Sequence, residues 1–161
     1  MPIDLAIIKK LDKVSAGQSN IIGTGNTNYI WESYENDIQF DTLNQFMTIS
    51  GTTKLAQGIM KIILTRKGDN IEDPDYGTLI NTMIGTKFTS DVFAEVQSEI
   101  IDALIHYNLI NSDNPDSDEV IQIIDEIKVV QDLNEPRAMK IRVAITTESG
   151  KSIGVEVPQL T

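Results

Sequence analysis

Cysteine is absent from the 161 residues, which excludes disulfide bonds and thiolate chemistry. There is a single histidine, His106, so a zinc site and a catalytic triad both lack their parts. No apolar run approaches 18 residues, so no membrane-spanning helix is expected. The start, Met1-Pro2-Ile3-Asp4-Leu5, has no basic region ahead of an apolar stretch, and no signal peptide is expected. Basic residues are scarce, 13 against 24 acidic, for a net charge of −11. Binding to phosphate backbones runs on Lys and Arg. Nucleic acid, anionic lipid and anionic cell-wall polymer are therefore poor partners, and a basic protein surface is a better one. Aromatics are only 6%, which leaves no signature of an aromatic-rich sugar cleft.

What remains is ordinary globular composition, long enough for one domain with a real core. Residues 1–36 read as an N-terminal arm. Leu5, Ile8 and Leu11, or Ile7, Leu11 and Val14, fit a short amphipathic helix, and loop chemistry follows from Ser15 to Asn28. Tyr29, Trp31 and Tyr34 are available to pin the arm down. The body is expected to span 37–161. Short strands are predicted over 37–41 and 45–49, then a helix over 53–66 with Leu55, Ile59, Ile62 and Ile63 on one stripe. Ser50 to Thr53 offer N-caps, Lys61, Arg66 and Lys67 suit the helix C-terminal end, and Gly68 suits a left-handed stop. A turn-rich connection over 69–77 precedes a second helix over 91–108, whose inner face carries Phe93, Val96, Ile100, Ala103, Leu104 and Tyr107. An acidic, solvated loop over 111–119, one helical turn at Val120, Ile121 and Ile124, and a strand over 127–133 come next.

The last hairpin follows from parity. Met139, Ile141, Val143 and Ile145 must share a face with Ile153, Val155 and Val157, and all of these positions are odd. Cross-strand partners must then sum to an even number, which a two-residue loop forbids. A three-residue loop, Glu148-Ser149-Gly150, pairs Ile145 with Ile153, Val143 with Val155 and Ile141 with Val157. Gly150 supplies the left-handed third position. The expected fold class is α+β, a small mixed sheet with this C-terminal hairpin packed on two main helices, plus the arm.

Signals for chemistry are weak. His106 has no nucleophile–base constellation around it in sequence. Gly23-Thr24-Gly25 lacks the third glycine and the strand-to-helix context of a phosphate loop. Asp113, Asp116, Asp118 and Glu119 lack the EF-hand register. Glycoside hydrolysis needs only two carboxylates, and among 24 acidic residues some pair always fits, so their presence decides nothing. One feature points to docking instead. Extending the strand alternation back through Pro136 puts Glu135 and Arg137 on the face of Met139 and Ile141. Charges that continue a core face need a pair, within the chain or on a partner; the bland alternative is a solvated strand entrance.

These residues suggest a family. Gly51-Thr52-Thr53-Lys54-Leu55-Ala56-Gln57-Gly58-Ile59, then Ile63-Leu64-Thr65-Arg66-Lys67-Gly68, then Asp73-Pro74-Asp75-Tyr76-Gly77-Thr78, followed by Glu135-Pro136-Arg137 before the last strands, resemble the phage tail baseplate wedge family. That family includes the small wedge subunit of T-even phages and the TssE component of type VI secretion systems. The similarity runs from about Asp37 to Leu160; Asp69 stands where the family has glutamate, and the first 36 residues do not obviously belong. The resemblance implies a non-enzymatic structural subunit of a contractile-tail baseplate in the virion, assembled in the host cytoplasm. It implies larger wedge proteins and the tail sheath subunit as partners, docking through Glu135, Pro136 and Arg137, and strand exchange through the hairpin. It implies no cofactor, metal or small-molecule substrate, and neither nucleic acid nor membrane as partner. Members are often labelled lysozyme-like, a label this sequence gives no chemical reason to accept. The alternatives are a cell-wall hydrolase and a generic acidic interaction domain.

Overall fold

In a computed structural model of the chain, residues 30–32, 49–84, 89–131 and 138–160 are described. They form strand β1 (Ile30–Glu32), helix α1 (Gly51–Leu64), a single helical turn α2 (Ile80–Met83), helix α3 (Ser90–Ile110), and strands β2 (Ile121–Gln131), β3 (Met139–Thr147) and β4 (Ser152–Leu160). The sheet order is β1-β4-β3-β2. β4 and β2 run antiparallel to β3, and β1 runs parallel to β4, so the sheet is mixed and the fold is α+β.

The hairpin has the register that parity requires. Ile141 pairs with Val157, Val143 with Val155 and Ile145 with Ile153, and all six side chains are buried. Gly150 has φ of 82°, and the Gly150 N–H donates to the Thr147 carbonyl at 2.9 Å, closing the three-residue loop. The register shifts beyond Ile141, to Met139 opposite Leu160, in the stretch where Pro158 can donate nothing to the ladder.

Both long helices lie on the odd-numbered face of the hairpin, α1 against β4 and α3 against β2. Leu55, Ile59, Ile62 and Ile63 of α1 and Val96, Ile100, Ala103 and Leu104 of α3 all enter one core with the inward strand residues. Each of the leucine, isoleucine and valine side chains among them stabilises the fold by roughly 1.5–3 kcal/mol through burial. The helices approach closely because of Gly58: a β-carbon there would sit 2.1 Å from the Tyr107 hydroxyl oxygen.

Several expectations shift. α1 ends at Leu64, where Thr65 turns extended and its N–H donates to the Lys61 carbonyl. Gly68 does adopt a positive φ, but in the loop beyond, where its N–H donates to the Pro74 carbonyl. Arg66 and Lys67 also lie past the helix end, leaving Lys61 in the last turn. Ser50 occupies the N-cap position of α1 without a side-chain capping bond. The helical turn expected at Val120, Ile121 and Ile124 does not form: Ile121 and Ile124 belong to β2, and Val120 lies just ahead of it. β2 carries two irregularities, between Ile121 and Ile123 and between Ile124 and Glu126. Those bulges give the inward residues Ile121, Ile124 and Ile127 a spacing of three, which mimics a helix. Ile30–Glu32, assigned to the arm, join the sheet beside Ile153–Val155. The rest of the arm, the strand predicted over 37–41 and all but Ile49 of the one over 45–49 lie outside the described residues.

Candidate functional site

The connection from α3 to β2 is held by a dense set of hydrogen bonds. Asn114 Oδ1 accepts the Asp116 N–H at 3.1 Å, and Asp116 Oδ1 accepts the Asp118 N–H at 3.0 Å, two successive Asx turns that coil the loop. The coil presents Glu119 inward, where it is 5% exposed. Its Oε1 accepts the Gly51 N–H at 3.0 Å, and its Oε2 accepts Lys54 Nζ at 2.7 Å and Asn114 Nδ2 at 2.6 Å. Glu119 thus supplies the N-terminal cap that Ser50 does not. Burial pushes its carboxyl up, but the hydrogen bonds from Lys54, Asn114 and the Gly51 N–H outweigh it, and the net shift is downward.

Asp118 faces the other way, to the hairpin tip. It accepts hydrogen bonds from Lys151 Nζ and Ser149 Oγ, which hold its carboxyl below the usual range. Backbone bonds from Glu148 N–H to the Val120 carbonyl and from Ser149 N–H to the Ser117 carbonyl complete the junction. One level along, Asn108 donates to and accepts from the Ile121 backbone at 3.0 Å each, fastening α3 to the start of β2. The acidic run is therefore a structural knot at Asp116, Asp118 and Glu119 rather than a solvated loop. Among the described residues no cluster of three or more His, Asp or Glu is arranged to hold a metal ion.

His106 lies on the opposite side of α3. Its Nε2 is 2.8 Å from Asp73 Oδ2, a contact that ties the 69–77 loop to the helix. His106 borders an open cleft of about 320 Å³, whose wall also includes Lys67, Asp75, Glu99, Asp102 and Ile105. No serine, threonine or cysteine is among the described residues that line it.

Glu135, Pro136 and Arg137 lie outside the described residues, in the connection from β2 to β3. The hairpin residues Met139, Ile141, Val143, Ile145, Ile153, Val155 and Val157 are all core. β3 is paired along both sides, while β1 covers β4 only at Ile153–Val155. Edges available to an incoming strand, among the described residues, are the outer side of β2 and β4 beyond Val155. Sequence reasoning missed the Glu119 junction, although the Asn-x-Asp-x-Asp spacing of 114, 116 and 118 carried the turn signal.

No family model and no curated protein matches this chain. Among solved structures, a "putative tail lysozyme" from Geobacter sulfurreducens is similar, with a TM-score of 0.56 at 16% identity, over 71% of this chain and 94% of that one. At that identity the likeness shows a common α+β fold.

Proposed function

We propose that this chain is a structural subunit of a contractile-tail baseplate. It docks on larger wedge proteins and presents sheet edges that template the first ring of sheath. The observation that carries this reading is the shared fold with a protein named as a tail lysozyme, spanning 94% of that chain. The motif order described above supports the finer assignment to the wedge.

The lysozyme half of that name draws no support from the two described carboxyl groups with shifted values. A glycosidase acid must hold its proton near neutral pH, which requires a raised pKa. The two described carboxyl groups with shifted values, Asp118 and Glu119, are both shifted down and are consumed by structural bonds. In the proposed role, strand exchange uses the outer side of β2 or the distal part of β4, where main-chain groups supply affinity and alternate side chains set register. Glu135 and Arg137 are the proposed anchor in the wedge core.

The test is co-expression with a large wedge protein from the same source, followed by size-exclusion chromatography with light scattering. A stable complex that dissociates with Glu135→Ala/Arg137→Ala supports the reading. No complex, together with peptidoglycan release by the purified chain, overturns it in favour of a hydrolase.

A further inference from the structure

The outward face of α3 is apolar where a solvated helix would be polar. Ile101, Ile105 and Leu109 follow one another at four-residue spacing and are 41%, 51% and 66% exposed. At 100° per residue they form a stripe on the side away from the core residues Val96, Ile100 and Leu104. Ile105 and Leu109 also line the open cleft between α3 and the loop that carries Lys67, Asp75 and Gly77. The other flank of the stripe is closed off by β2. There Gln97 Nε2 donates to the Ile127 carbonyl at 3.0 Å, and Asn108 holds the Ile121 backbone. The exposed apolar surface therefore runs from Ile101 to Leu109 and opens into the cleft.

The charges around this surface are of one sign once internal pairs are set aside. Lys67 Nζ lies 3.8 Å from Asp75 Oδ1, and His106 Nε2 lies 2.8 Å from Asp73 Oδ2, so both cations on the cleft side already face a carboxylate. Lys128 of β2 sits opposite Arg142, on the sheet face away from α3. What remains is Asp91, Glu95, Glu99 and Asp102, along one side of the stripe, on a helix with no lysine or arginine. Glu99 gives one oxygen to the Leu79 N–H at 3.1 Å. Asp91, Glu95 and Asp102 have no ion pair among the described residues.

We infer that this surface docks an α-helix of a partner protein, one whose apolar ridge is bordered on one side by lysine or arginine. A ridge at four-residue spacing fits the groove between such ridges on another helix. A strand laid there would leave its own N–H and C=O groups without partners, because the backbone of α3 is bonded within the helix. A second copy docking through α3 brings the same carboxylates and no cation to meet them. The inference rests on the reading of this chain as a baseplate subunit, so the partner is the larger wedge protein, held here at a contact separate from Glu135 and Arg137. Ile101, Ile105 and Leu109 supply the affinity, while the carboxylates set the direction of the incoming helix and speed its encounter.

The test is calorimetric titration of the full-length chain with a large wedge protein from the same source, paired with hydroxyl-radical footprinting of the complex. Oxidation of Ile101, Ile105 and Leu109 should fall on binding. Ile105→Glu/Leu109→Glu, both at exposed positions and checked for an unchanged melting profile, should weaken binding roughly tenfold or more. Glu95→Lys/Asp102→Lys should slow association in stopped-flow mixing and remove much of its salt dependence. Binding that survives Ile105→Glu/Leu109→Glu but is lost with Glu135→Ala/Arg137→Ala overturns this inference and spares the baseplate reading. Unprotected α3 side chains in a stable complex do the same. No binding by the wild type overturns both. A wild-type dimer in light scattering that Ile105→Glu/Leu109→Glu separates overturns the assignment to a partner and gives the surface to a second copy.

Discussion

The Glu119 carboxylate accepts the Gly51 N–H at 3.0 Å, so the first turn of α1 is capped from 68 residues away. The same carboxylate holds Lys54 at 2.7 Å and Asn114 at 2.6 Å. Removing it leaves a helix N-terminus and a half-buried ammonium without their acceptor. Glu119→Ala should cost about 2–3 kcal/mol in urea unfolding. Glu119→Gln, which keeps an acceptor for Gly51 but loses the charge, should cost about half as much.

The same site gives a pH signature. The Glu119 carboxyl is held below its ordinary value of 4.5 in the folded state, so the unfolded chain takes up its proton first. The stabilisation is fully present above that ordinary value and is lost as pH falls through the folded-state value. The stability difference between wild type and Glu119→Gln should therefore be constant from neutral pH to about pH 5.5 and shrink steadily below pH 4.5. Asp118 drifts in the same direction in both proteins, so the difference isolates Glu119. Urea midpoints measured every half pH unit check this.

Gly58 and Tyr107 set the spacing of the two long helices. Alanine is favoured over glycine in a helix by about 1 kcal/mol, so propensity alone predicts that Gly58→Ala stabilises α1. The Tyr107 hydroxyl oxygen would lie 2.1 Å from the new β-carbon and the ring carbon Cζ 2.6 Å away. Steric conflict should win, with a net loss of about 2 kcal/mol. Tyr107→Phe removes only the nearest atom, so a double-mutant cycle should show partial rescue.

Local pattern decided which parts of this fold could be read in advance. The hairpin register was readable because Ile141, Val143, Ile145, Ile153, Val155 and Val157 are all buried, which leaves parity one solution. The inner stripes of α1 and α3 were readable for the same reason. β2 was not, because its bulges replace a period of two with a period of three. The Glu119 cap was invisible because it joins positions far apart in the chain. No periodicity encodes such a contact, and a buried carboxylate looks in sequence like any member of an acidic loop.

Val155 pairs with Val143 on one side and Glu32 on the other, and its side chain is fully buried. A proline there removes a ladder bond and forces its ring into the sheet interior, at about 3 kcal/mol or more. The expected result of Val155→Pro is loss of the whole domain fold by circular dichroism, rather than a selective defect in strand exchange. A folded Val155→Pro chain would show that β4 is less central than its pairing indicates.

Two glycines separate backbone strain from steric collision. Gly150 sits at φ 82° with no atom within 4 Å of an added β-carbon, so Gly150→Ala carries only the left-handed penalty of about 1 kcal/mol. Gly77 sits at φ 113°, and an added β-carbon would lie 2.5 Å from the Thr65 carbonyl oxygen. That oxygen accepts the Thr78 N–H at 2.9 Å, while Thr78 Oγ1 donates to the Ile63 carbonyl in the interior. The backbone there cannot retreat without breaking the link between the end of α1 and the 69–77 loop. Gly77→Ala should therefore cost roughly 3 kcal/mol, well above Gly150→Ala. It should also raise amide exchange at Lys67 and Thr78, whose N–H groups bond across that link. Equal losses in the two variants would mean that conformation alone, and not the collision at Thr65, constrains Gly77.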